Sequence, residues 1–141
     1  LYFGMLSMIT PPVAIAAFVA ANMAKASPMA TGLEAVRVGW IAFVTPFLFV
    51  ASPALLLRGE NWLDNAVAPL TAAAGVFAAS AGIVGWLRGP LPAPLRLGAV
   101  AAGLALLLPH PLADWVPLAN AAGLAAMAAL WSVAPGAAEA T

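Results

Sequence analysis

The chain has 141 residues, of which 65% are hydrophobic and 7% charged, and its five basic and five acidic side chains cancel. A soluble domain typically carries about 25% charged residues, so this chain has too little charge to coat a surface facing water, and lipid must cover much of it. The absence of cysteine and the single histidine exclude disulfides, thiolate chemistry and a histidine-rich metal site, and the balanced charge leaves no basic field for nucleic acid.

The charged side chains fall at Lys25, Glu34, Arg37, Arg58, Glu60, Asp64, Arg88, Arg96, Asp114 and Glu139. They punctuate uncharged apolar runs, and a membrane-spanning helix needs roughly 17–25 such residues. The expected fold is an all-α membrane protein with about five hydrophobic helical segments, the first broken at Thr-Pro-Pro. The chain opens inside an apolar run at Leu1 with no basic n-region. No signal peptide is expected, and the run reads as the truncated end of a longer chain.

The first segment, 1–24, is interrupted by Thr10-Pro11-Pro12. Proline has no N–H and the residue before it avoids helical angles, which predicts a break near Ile9-Thr10. A new helix is expected to start with Thr10 as N-cap and Pro11 as its first residue. Residues 25–37 read as a loop, with Glu34 and Arg37 in solvent or at a helix start. The second segment, 38–57, has the length of one span, kinked at Pro46 and Pro53. The third, 65–87, carries small residues Ala72, Gly75, Ala79 and Gly82 at helical spacing, a stripe that lets another helix approach closely. The fourth, 97–108, is short and reaches span length only if 109–113 lies in the interface. The fifth, 115–134, is long enough, and the tail after it reads as frayed.

Trp40, Trp62, Trp86, Trp115 and Trp131 fall near segment ends, where an aromatic belt is expected. The excess of Lys and Arg over acids in 25–37 and 88–96 places those loops and the C-terminus in the cytoplasm. His110 and Asp114, four apart, have the chemistry of a proton shuttle, but Pro109 and Pro111 make an interfacial loop the plainer reading. Arg58, Glu60 and Asp64 read as a hydrated loop. No nucleophile–base or acid–base constellation is present, so no enzyme is expected.

The break is the feature with chemical content. Backbone groups freed inside a membrane must face protein or a water-filled cavity, and in secondary transporters such breaks bind ions and substrates. Carbonyls of Gly4, Ser7, Met8, Ile9 and Thr10 and the hydroxyls of Ser7 and Thr10 are hard oxygen ligands that suit a small cation. The bland alternative is a proline kink relieved by neighbouring helices.

Tyr2-Phe3-Gly4-Met5-Leu6-Ser7-Met8-Ile9-Thr10-Pro11-Pro12-Val13-Ala14 resembles the Thr-Pro-Pro-Val region of the large permease subunit of TRAP (tripartite ATP-independent periplasmic) transporters. The likeness is to the fused form, in which small and large membrane subunits share one chain. It runs on through 28–32, 35–37, 46–50 and 52–57. Two positions depart from the family pattern: Ser7 stands where many members have glycine, and so does Ala14.

The resemblance implies a sodium- or proton-coupled secondary transporter in the bacterial inner membrane, multi-pass, to which an extracytoplasmic solute-binding protein delivers an organic anion. It implies that 1–57 is the C-terminal end of the large permease region, completed by an N-terminal part, and that 58–141 is a transmembrane extension. Carried over by residue, it implicates Gly4, Ser7, Thr10, Pro11 and Pro12 in a cation or substrate site, with no cofactor beyond a sodium ion. The alternative expectation is a non-transporting integral membrane scaffold or assembly subunit. A membrane-embedded enzyme would need catalytic residues upstream of Leu1.

Overall fold

The computed structural model describes residues 2–108 and 116–133. Among them the chain is all-α: α1 Tyr2–Leu6, α2 Ile15–Ala24, α3 Pro28–Val38, α4 Trp40–Ala51, a 3-10 turn Pro53–Leu56, α5 Trp62–Val84, α6 Ala93–Leu107 and α7 Val116–Val133. Among the described residues two helical stretches are long and apolar enough to cross a membrane, Pro28–Ala51 and Trp62–Val84. At 1.5 Å per residue the second spans about 35 Å, more than the roughly 30 Å of a bilayer's hydrocarbon core. The chain divides into two compact units, 1–46 and 47–141.

In the first unit α2 packs on α3. The break is wider than the sequence suggests: α1 already stops at Leu6, and α2 starts at Ile15 instead of Pro11. Pro11 itself precedes a proline and is therefore pushed out of helical angles, so it cannot open the helix. Nor is Thr10 the N-cap. Its hydroxyl donates back to the Leu6 carbonyl at 2.7 Å, and the cap position falls to Ala14, which has no side-chain cap bond. Lys25 ends α2 in the left-handed conformation, φ 53°.

The loop expected over 25–37 shrinks to 25–27, because Pro28 opens α3 as its first residue. Glu34 and Arg37 lie on α3 as an ion pair of 2.9 Å, the i,i+3 spacing that faces side chains on one helix. Arg37 is thus not a loop charge, and Lys25 alone remains to mark that side. Trp40 falls inside the Pro28–Ala51 stretch, away from its ends. α4 keeps Pro46 in its interior and ends at Ala51, before Pro53. Ser52, the residue before Pro53, is extended at φ −133°, ψ 93°, as sterics require.

The second unit is built on an antiparallel α5–α6–α7 bundle, and its seams are made by small residues. A Cβ placed on Gly75 would lie 2.8 Å from the Gly103 carbonyl oxygen, and one on Gly82 would lie 2.6 Å from that of Arg96. Gly75, Ala79 and Gly82 are buried, so the small-residue stripe is a packing surface. Gly123 of α7 approaches Ala102 and Leu106 of α6 in the same way.

Gly85 ends α5 at φ 83°, and the N–H groups of Gly85 and Trp86 both donate to the Ala81 carbonyl, at 2.8 and 3.2 Å. A glycine there avoids the Cβ clash of the left-handed region. Arg96, expected in a loop, sits in the first turn of α6 and caps α5. Its guanidinium donates to the Gly82 carbonyl through Nε at 3.1 Å and to the Ile83 carbonyl through Nη2 at 3.1 Å. A cation there also meets the negative end of the helix dipole. Arg88 stacks on the Trp131 ring, 5.6 Å from its centroid. Trp62 and Trp86 flank α5 at its two ends, both largely exposed, as a belt requires. Trp115, His110, Asp114, Glu139, the interfacial stretch 109–113 and the tail from 134 lie outside the described residues.

Candidate cation site at the Thr-Pro-Pro break

Between α1 and α2 the chain closes on itself by a short ladder. The N–H groups of Met8, Ile9 and Thr10 donate three residues back, to Met5, Leu6 and Ser7, at 3.2, 3.1 and 3.3 Å. These tight turns use up carbonyls that an abrupt helix end would leave open. The Ala14 N–H then donates to Thr10, and the Ala16 N–H reaches across the whole break to the Met8 carbonyl, both at 3.0 Å. Among the described residues no donor of the chain reaches the carbonyl oxygens of Ile9, Pro11 and Pro12. Of the carbonyls expected to be open, those of Gly4, Ser7, Met8 and Thr10 are engaged, and Ile9 alone keeps both its lone pairs.

Ser7, Thr10, Pro11 and Pro12 line one groove of about 290 Å3, walled further by Phe3 and Phe43. The structure therefore brings four of the five sequence-derived site residues together. Gly4 stands apart from the groove and enters only through its carbonyl, which accepts the Ser7 hydroxyl at 2.6 Å. The Thr10 hydroxyl likewise donates, to Leu6. A hydroxyl that donates its proton keeps its oxygen lone pairs, so both oxygens retain ligand capacity for a cation. The groove is lined by aromatic, aliphatic, proline and hydroxyl side chains and by no charged one, so a cation there would be held by dipoles.

The helix that packs on α2 positions the break. A Cβ on Gly32 of α3 would lie 2.9 Å from Pro11 Cγ, and one on Gly39 would lie 3.3 Å from Ile9 Cδ1. These glycines are seven apart, two helical turns, and so share a face. They form the floor on which Ile9 and Pro11 rest. The Tyr2 hydroxyl holds the other side, donating to the Ala42 carbonyl at 2.9 Å. Sequence reasoning missed this floor. The signal that would have found it is the i,i+7 spacing of Gly32, inside α3, and Gly39, its C-cap.

Residues 1–60 match the family model described as Tripartite ATP-independent periplasmic transporter, DctM component. That stretch, under half of the chain, is similar to a TRAP permease component. The match includes the whole break, α2, α3 and α4, and ends in the loop before α5. No curated protein and no solved structure matches the chain.

Proposed function

We propose that this chain is the C-terminal part of a secondary active transporter permease that imports organic anions on a sodium or proton gradient, in the bacterial inner membrane, with an extracytoplasmic solute-binding protein. Residues 1–57 end the large permease region, and 58–141 form a transmembrane extension. The coupling cation is held at the break by the Ser7 and Thr10 hydroxyl oxygens and by the carbonyls left open at Ile9, Pro11 and Pro12. Gly4 contributes by fixing the Ser7 hydroxyl. The observation that supports this reading is that Ser7, Thr10, Pro11 and Pro12 line one groove within the stretch that matches the DctM model. Hard oxygen donors suit a small alkali cation, and broken transporter helices supply them.

The rival reading is a non-transporting scaffold. It draws on the contact of Pro11 with Gly32, which a purely packed break would also make.

The test uses the full-length permease in proteoliposomes with its solute-binding protein and a panel of carboxylates. Uptake should follow an imposed sodium or proton gradient. Thr10→Val removes one oxygen ligand while keeping the side chain's shape, and it should raise the cation concentration for half-maximal uptake about tenfold, the equivalent of roughly 1.4 kcal/mol. Uptake indifferent to both gradients would sink the transporter reading. A Thr10→Val variant that loses thermal stability with its cation dependence unchanged would favour the scaffold.

A further inference from the structure

The second compact unit holds a cavity of its own where the chain enters α5. It measures about 450 Å3, and its wall includes Ser52, Ala54, Arg58, Gly59, Glu60 and Asp64. That is the size of a small-ligand pocket. One wall is fixed by Asn65, whose Oδ1 accepts the Gly59 N–H at 2.7 Å and whose Nδ2 donates to the Gly59 carbonyl at 3.3 Å. Asn61 in turn donates to Asp64 Oδ2 at 3.3 Å, which steadies that carboxylate.

Two features point to an occupant. Ser52 is only 3% exposed, lines the cavity, and its hydroxyl has no hydrogen-bond partner among the described residues. Buried hydroxyls nearly always have one, so this hydroxyl can take one from a group held in the cavity. The second feature is charge of both signs on one cavity, with Arg58 against Glu60 and Asp64. A simple anion meets the two carboxylates there, and a simple cation meets the guanidinium. A ligand carrying both charges satisfies each.

The surroundings are apolar. Leu57, Trp62 and Leu63 alternate in the chain with the lining residues and are 70%, 76% and 54% exposed. The cavity opens at the start of a helix long and apolar enough to cross a membrane, where tryptophan sits at headgroup level. A ligand with a zwitterionic head and apolar tails fits both parts.

We propose that this cavity holds the ammonium–phosphate headgroup of a zwitterionic membrane lipid. The phosphate takes Arg58 and the Ser52 hydroxyl, the ammonium takes Glu60 and Asp64, and the tails lie along Leu57, Trp62 and Leu63. A primary ammonium donates hydrogen bonds to both carboxylates, and these charge-assisted bonds are the strong ones. A quaternary choline has no N–H to donate, so the site selects ethanolamine lipids.

The experiment is native mass spectrometry of the full-length permease, purified in detergent and supplied with equimolar phosphatidylethanolamine, phosphatidylcholine and phosphatidylglycerol. The ethanolamine lipid should be retained about fivefold over either of the others. The double variant Glu60→Gln, Asp64→Asn should erase that preference. Arg58→Gln should lower retention of all three lipids, and Ser52→Ala should lower the ethanolamine lipid about twofold. Arg58, Glu60 and Asp64 are all exposed, so neutralising them should leave the fold intact, checked by an unchanged helical signal and elution volume. Retention that ignores headgroup in the native protein, or a preference that survives the double variant, overturns the proposal. Water-soluble glycerophosphoethanolamine retained as strongly as the lipid would overturn the membrane source of the headgroup.

Discussion

Gly32→Ala tests whether α3 sets the position of the break. The new methyl would lie 2.9 Å from Pro11 Cγ, while its distances to Ala14 Cβ and Phe18 Cε1, both 3.6 Å, are ordinary. Carbon atoms settle at about 3.5 Å or more, so the proline ring must retreat roughly 0.6 Å. Overpacking of this kind costs about 1–3 kcal/mol, while alanine in place of glycine in a helix returns about 1 kcal/mol. The single variant should therefore range from neutral to about 2 kcal/mol less stable. The decisive measurement is a double-mutant cycle with Pro11→Ala, which removes the Cγ. In that background Gly32→Ala should become stabilising by about 1 kcal/mol, because the propensity gain is then unopposed. Thermal unfolding of the full-length permease in one detergent and one lipid mixture reads all four corners. An effect of Gly32→Ala that is the same in both backgrounds, within about 0.5 kcal/mol, refutes the contact as the positioning device.

Arg96→Ala should cost about 2–3 kcal/mol, since it strips two charge-assisted bonds from the end of α5. Faster amide exchange at Gly85 and Trp86 should accompany the loss, and Arg96→Lys should recover only part of it, because an ammonium lacks the planar fork that spans two carbonyls. Gly82→Val drives a branched side chain into the α6 backbone at Arg96 and Val100, and backbone cannot swing aside. A loss of about 3 kcal/mol is expected in thermal unfolding. Gly98→Ala is the matched control: its Cβ would lie 3.9 Å from Leu130, so it should be neutral or gain up to about 1 kcal/mol.

The sequence made α5 legible because apolar length, flanking charge and small-residue spacing all agreed there. Its start and end moved by three residues, set by an Asn61 cap position and a left-handed Gly85 that composition alone does not mark. α3 was illegible for the opposite reason. Charges served as loop markers, yet Glu34 and Arg37 neutralise each other on one helix face and so ride inside an apolar stretch. At the break, Thr-Pro-Pro announced itself through proline chemistry, but the start of α2 depended on Pro11 also being a residue before proline. The floor of Gly32 and Gly39 and the capping role of Arg96 were hidden because both are long-range. A glycine's purpose is written in what packs against it, and Arg96 acquires its partners only when α6 turns back along α5.

That turning back bears on how the protein is made. α6 has 15 residues and reaches about 22 Å, short of the hydrocarbon core. Its Ala99, Ala102 and Gly103 are buried within the bundle, so the helix has little to offer lipid by itself. Chains emerge from the ribosome N-terminal end first, and α6 emerges to find α5 already synthesised, with the Gly82 and Ile83 carbonyls waiting for its first-turn arginine. α7 follows and closes on Ala102 and Leu106. The order of these helices along the chain is thus also the order in which each can find support, and moving α6 ahead of α5 would leave a short helix in the bilayer with nothing to lean on.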